Sequence, residues 1–75
     1  MKEQIIEIVK RLSRDGLIPD DTESLFDGGY LDSFSLPGLV EELQVQFNVS
    51  IPDTDLTFHN FDSIGQIQKY LRARS

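Results

Sequence analysis

Phe26-Asp27-Gly28-Gly29-Tyr30-Leu31-Asp32-Ser33-Phe34-Ser35-Leu36-Pro37 joins a glycine-rich turn to the start of an amphipathic segment. Its first half is a turn-rich loop with paired glycines. Leu31-Asp32-Ser33-Phe34 then sets a serine between an acid and a large apolar residue, where a helix is expected to begin. Downstream, Leu36, Leu39, Val40, Leu43 and Phe47 recur at helical spacing, so one face of a helix running to Phe47 or Asn48 is expected to be buried. Ile51-Pro52-Asp53 reads as a stop followed by a new start.

Working outward, Ile5, Ile6, Val9 and Leu12 mark an amphipathic first helix over roughly residues 2–14, ended by Asp15-Gly16. The connection from about residue 15 to 32 is longer than usual, which points to function or anchoring. Leu17, Ile18, Leu25, Phe26 and Leu31 are its expected apolar anchors. Asp53 is placed to cap a short helical segment near residues 54–58. Ser63-Ile64-Gly65-Gln66 has the form of a capping box opening a last helix, with Ile64, Ile67 and Leu71 on its core face and Tyr70 at its edge. No stretch alternates with period two long enough for a strand. The expected fold is therefore all-α: a small four-helix bundle, three main helices plus a short third one, with a long first loop, in a single domain over 1–75.

Ser33 at a helix start would lie beside unpaired backbone N–H groups and the positive end of the helix dipole, which suit an attached phosphate. A serine there also serves as an ordinary N-cap. With the core positions of the second helix facing inward, Phe34, Gly38, Glu41 and Val45 fall on the opposite face. An apolar Phe34 and Val45 facing water suggest a recognition surface. Pro37 lies close to the helix start, where its missing N–H disturbs the first turn. Regular helix is therefore expected to begin nearer Pro37, with Ser33–Leu36 as a tighter turn.

The Asp-Ser-large-apolar motif, the amphipathic helix ending in Phe47 and the closing Ile51-Pro52 together resemble the acyl and peptidyl carrier protein family, over about residues 25–71. The resemblance implies a free-standing carrier that is not itself an enzyme, with 4′-phosphopantetheine attached covalently to Ser33. It implies a phosphopantetheinyl transferase that moves the arm from coenzyme A, a ligase that loads an acyl or aminoacyl thioester, and a downstream enzyme that uses it. The residue after the serine is a partner contact in that family, so Phe34 inherits the role. Leu31-Asp32-Ser33-Phe34 is similar to the motif of D-alanyl carriers and stand-alone peptidyl carriers. Glu41 stands where the carriers of fatty acid synthesis usually have an apolar residue. No single cargo follows from these residues.

The chain has 75 residues, a net charge of −6, no cysteine and one histidine, His59. A chain this short builds only a modest core. Without cysteine, any thiol chemistry must be brought by an attached group. All seven basic residues lie near the ends, at Lys2, Lys10, Arg11, Arg14, Lys69, Arg72 and Arg74. The intervening acidic field disfavours nucleic acid and anionic membranes and speeds encounter with basic protein surfaces. Asp32, Glu41 and Glu42 beside Phe34 suit such transient docking. The N-terminal run is too charged for a signal peptide and nothing reaches membrane-spanning length, so a cytoplasmic location is the expectation; nothing signals an obligate oligomer, and a monomer is expected.

Three other readings compete. A triad of Ser33, His59 and a carboxylate has no nucleophile-elbow glycines around the serine. Asp53-Thr54-Asp55 echoes a calcium loop but lacks its glycine and terminal glutamate, so no metal site is expected. An acidic helical interaction module without a cofactor accounts for the charge and the exposed apolar stripe, but not for a serine where those features converge.

Overall fold

The strongest apolar periodicities become helices, and they are described here in a computed structural model covering residues 1–13, 16 and 18–74. Helix α1 spans Lys2–Leu12 and buries Ile5, Ile8 and Val9. Helix α2 spans Ser35–Phe47 and buries Leu36, Leu39, Val40 and Leu43 as its spacing predicts, while Phe47, expected on the same face, is half-buried. It ends at Asn48, whose left-handed φ of 52° and N–H to the Gln44 carbonyl close the last turn. Helix α4, Ile64–Arg74, buries Ile64, Ile67 and Leu71. Its opening turn carries the expected cap, with the Gln66 N–H donating to Ser63 Oγ at 3.1 Å.

Helix α1 packs against both α2 and α4, so the three long helices share one core. Phe61 from the short helix α3, Phe58–Phe61, fills its centre. Burying one such apolar side chain contributes about 1.5–3 kcal/mol, a large share of the roughly 5–15 kcal/mol that holds a small domain together. Among the described residues no strand forms, and the all-α reading stands.

Three expectations need correction. The segment near 54–58 is a 3₁₀ turn over Asp53–Asp55 followed separately by α3; Pro52, not Asp53, precedes the turn, and no side chain caps it. A three-residue tight turn fits because the chain must redirect before Phe61 can enter the core. Ile18, expected as an anchor, is 54% exposed. Helix α1 stops at Leu12 with Ser13 extended, short of residue 14. The expected anchor Leu17, and Arg14 and Asp15 at the end of the first helix, lie outside the described residues.

The connection between α1 and α2 is fastened to the start of α4. Leu25 and Leu31 are buried, and the Leu25 N–H donates to the Asp62 carbonyl. The Gly65 N–H donates to the Asp21 carbonyl at 2.9 Å, and Lys2 Nζ lies 2.8 Å from the Asp21 carboxylate. Ser24 Oγ donates to Asp62 Oδ1 at 2.6 Å and accepts from the Asp27 N–H at 3.0 Å. The Leu31 N–H returns to the Leu25 carbonyl at 2.9 Å, closing a tight loop just before Asp32. A Cβ on Gly28 would lie 2.4 Å from the Ser24 carbonyl oxygen, and Gly29 has φ +80°, so both glycines are required by the turn.

Candidate functional site

Asp32 shapes the entrance to α2. Its Oδ1 accepts from the Ser35 N–H and from the Ser35 hydroxyl, each at 3.1 Å, while its carbonyl also accepts from the Ser35 N–H at 3.0 Å. Ser33 was expected as the N-cap; that position is instead Phe34, which makes no side-chain cap bond, and Asp32, two residues before it, reaches the first helical N–H, that of Ser35. A carboxylate is the stronger acceptor, and its negative charge is favoured at the positive end of a helix.

Ser33 and Phe34 form a turn ahead of the regular helix, which starts at Ser35. The expected irregular first turn is therefore present but shorter than foreseen. Pro37 is the third residue of α2, where a backbone N–H has no intrahelical acceptor, so the ring removes no helix bond. Ser33 itself is exposed, and no described residue is hydrogen-bonded to its hydroxyl. Its neighbour Ser35 is half-buried and committed to Asp32.

The expected partner residues differ in exposure and engagement. Phe34 is 90% exposed and Val45 78% exposed; Glu41 is exposed and Gly38 half-buried. Gly38, Glu41, Glu42 and Val45 line one shallow groove of about 340 Å³ with Leu12 of α1. Glu42 is turned toward α1, where Arg11 Nη1 lies 3.1 Å from its Oε2 and Nη2 donates to Oε1 at 3.4 Å. Glu41 carries its charge outward, whereas Glu42 spends its charge on a contact between helices.

Sequence reasoning missed the other side of Ser33. A groove of about 340 Å³ is lined by Phe26, Leu31 and Phe58 with Asp27, Asp32, Asp62 and Ser33 at its margins. Phe26 and Phe58 meet edge to face, with ring centroids 4.8 Å apart and planes at 68°. Residues 26 and 58 come together only through tertiary folding, and no local pattern announces that meeting. Across Leu31 and Asp32 lies a second groove of about 510 Å³, which Tyr30 and Ser35 help to line. There the Tyr30 hydroxyl donates to Glu23 Oε2 at 2.8 Å, which raises the Tyr30 pKa above its ordinary value. The Asp20 N–H, and then that hydroxyl, hold the Glu23 carboxyl below its own.

His59 is exposed on α3, and no hydrogen bond joins it to Ser33. Among the described residues no group of three or more His, Cys, Asp or Glu is placed to hold a metal ion. None of their helices is long and apolar enough to cross a membrane.

An exposed, unengaged primary hydroxyl at the mouth of a thirteen-residue helix, with aromatic surface alongside, fits covalent attachment of a phosphate-linked arm. Comparison with known proteins points the same way. Residues 3–71 match the family described as Phosphopantetheine attachment site. The D-alanyl carrier protein of Streptococcus suis (strain 05ZYH33) is 30% identical over 67 residues, covering 89% of this chain and 85% of that protein. The D-alanyl carrier proteins of Streptococcus pyogenes serotype M5 (strain Manfredo) and serotype M1 have the same identity and coverage.

Proposed function

The chain belongs to the phosphopantetheine attachment-site family, a carrier of covalently bound 4′-phosphopantetheine, and from that premise we propose that Ser33 is the attachment residue. The observation that carries this is the division of labour at the α2 entrance. Asp32 binds both the backbone N–H and the hydroxyl of Ser35 at the start of α2, while the Ser33 hydroxyl is exposed and unengaged. When attached, the group supplies a flexible arm whose thiol holds acyl cargo as a thioester.

Ser33 Oγ forms the new P–O bond to the pantetheine-side phosphorus of coenzyme A. The bond to the adenosine bisphosphate portion breaks, and the hydroxyl proton passes to a base of the transferase. Asp32 fixes the turn from which Ser33 projects. Phe34, Glu41 and Val45 offer the transferase and a loading ligase an apolar, acidic face with little folding role of its own. No Lys or Arg occurs from residue 16 to 68, so the segment that carries this face is acidic throughout, with Arg11 of α1 paired to Glu42 beside it.

The likeness to D-alanyl carrier proteins and the Leu31-Asp32-Ser33-Phe34 motif support an aminoacyl cargo, D-alanyl first. The test is intact mass after incubation with coenzyme A, magnesium and a broad-specificity phosphopantetheinyl transferase, beside a Ser33→Ala control. A gain of one phosphopantetheine in the wild type alone is expected. Loading of the product by D-alanine, ATP and a D-alanine-activating ligase then tests the cargo. No mass gain in a folded sample rejects the attachment site, and loading with fatty acids alone rejects the aminoacyl assignment.

A further inference from the structure

Ser35 opens α2 and is tied twice to the side chain of the residue before Ser33. Its backbone N–H is a divided donor, shared between the Asp32 carbonyl at 3.0 Å and Asp32 Oδ1 at 3.1 Å. Its hydroxyl has one proton to give and donates it to that same Oδ1, also at 3.1 Å. Within this turn the hydroxyl is therefore the donor that the carboxylate does not share with the backbone. We propose that Ser35 is a positioning residue for phosphopantetheine transfer: its hydroxyl clamps the Asp32 carboxylate, closes the Asp32–Ser35 turn and fixes the direction in which Ser33 Oγ meets the transferase. The inference rests on Ser33 as the attachment residue.

The clamp works through Asp32 and not by touching the reacting atoms. Ser33 and Ser35 line different grooves, and Asp32 borders both. Ser35 is half-buried, whereas Asp32 and Ser33 are exposed. An exposed side chain changes rotamer within nanoseconds, so a donor from a better-buried anchor is what holds the carboxylate in one orientation. The bond gains strength because its acceptor is ionised. Transfer needs Ser33 Oγ close to the phosphorus and aligned with the bond that breaks, and a loosened turn spreads that oxygen over more directions. Helix propensity gives no preference for serine over alanine in α2. The hydroxyl of Ser35 is thus accounted for by what it holds.

The test is steady-state kinetics of transfer from coenzyme A to the full chain as wild type, Ser35→Ala, Ser35→Thr, Asp32→Ala and the Asp32→Ala, Ser35→Ala double variant. Tandem mass spectrometry first locates the group on the wild type. A group found away from Ser33 rejects the attachment site itself, whereas a group on Ser33 with wild-type kinetics for Ser35→Ala rejects only the clamp. Ser35→Ala is expected to lower kcat/KM on the order of fivefold, the scale of one exposed hydrogen bond, and chiefly through kcat. Ser35→Thr keeps a hydroxyl and is expected to restore most of the rate. Once Asp32→Ala has removed the acceptor, adding Ser35→Ala is expected to change nothing more. Urea denaturation shows which variants are folded under assay conditions, and the alanine and threonine variants of Ser35 carry the test if Asp32→Ala is not. A loss confined to KM, a threonine variant as slow as alanine, or an undiminished Ser35→Ala effect without Asp32 would overturn the proposal.

Discussion

Asp32 Oδ1 accepts hydrogen bonds from both the backbone N–H and the hydroxyl of Ser35, each at 3.1 Å. One carboxylate thus holds the first N–H of α2 and ties down the serine two residues after the reactive one. Asp32→Ala is expected to cost about 1 kcal/mol of stability, whereas Ser33→Ala should change stability by less than about 0.5 kcal/mol. Asp32→Asn keeps an acceptor and should recover most of the loss. Urea denaturation of the three variants checks this ordering; equal losses for Asp32→Ala and Ser33→Ala would contradict it.

Glu41 and Glu42 are neighbours in sequence with different duties. Glu42 pairs with Arg11 across α1 and α2, while Glu41 is exposed on the outer face. Glu41→Gln should slow transferase and ligase reactions at low ionic strength, with the difference from wild type shrinking as salt screens the field. Glu42→Gln should act mainly on stability, by about 0–1 kcal/mol as expected for a surface pair. The check is kcat/KM measured from low to high salt beside denaturation midpoints.

Gly28 fixes the loop that delivers Ser33. An added Cβ would meet the Ser24 carbonyl oxygen at 2.4 Å, and that same oxygen accepts the Gly28 N–H. Backbone must move to admit it, so Gly28→Ala is expected to cost about 1–3 kcal/mol. The loss should appear as a lower melting temperature, together with slower modification of Ser33.

The helices were legible because Leu36, Leu39, Val40, Leu43, Ile64, Ile67 and Leu71 announce their faces through spacing alone. Ser63 announced its helix start as a cap for the same local reason. Ser33 was misjudged as the cap because the helix starts two residues later, at Ser35, and the Asp32 carboxylate reaches its first N–H from outside the helix. Phe26 and Phe58, 32 positions apart, meet through the fastening of the long loop to α4, which no local pattern encodes. Glu42 was grouped with Glu41 because its partner Arg11 lies on another helix.

Tyr70 ties α4 to the 3₁₀ turn. Its hydroxyl donates to Asp55 Oδ2 at 2.6 Å, and Arg74 reaches the same oxygen at 3.6 Å and the Ser50 carbonyl at 3.1 Å. Burial first, and then this hydrogen bond, push the Tyr70 pKa from 10.0 up to about 12. The folded state thus holds the phenolic proton more tightly than the unfolded chain does. The resulting stability is fully present below pH 10 and is lost as pH rises through about 12. Tyr30, raised by Glu23, adds to the same alkaline decline. Tyr70→Phe should cost about 1 kcal/mol at neutral pH for the lost hydrogen bond and flatten that decline in part. Denaturant midpoints at pH 9 and pH 11 test the sign.

Ser33 and Ser35 are two residues apart, and only the first has an unengaged hydroxyl. Tandem mass spectrometry of the proteolytic peptide spanning residues 31–36, taken from the enzymatically modified protein, therefore decides between them. Phosphopantetheine on Ser33, with Ser35 unmodified, is the predicted result. Modification of Ser35, or of any serine outside the Asp32–Phe34 turn, would contradict the account.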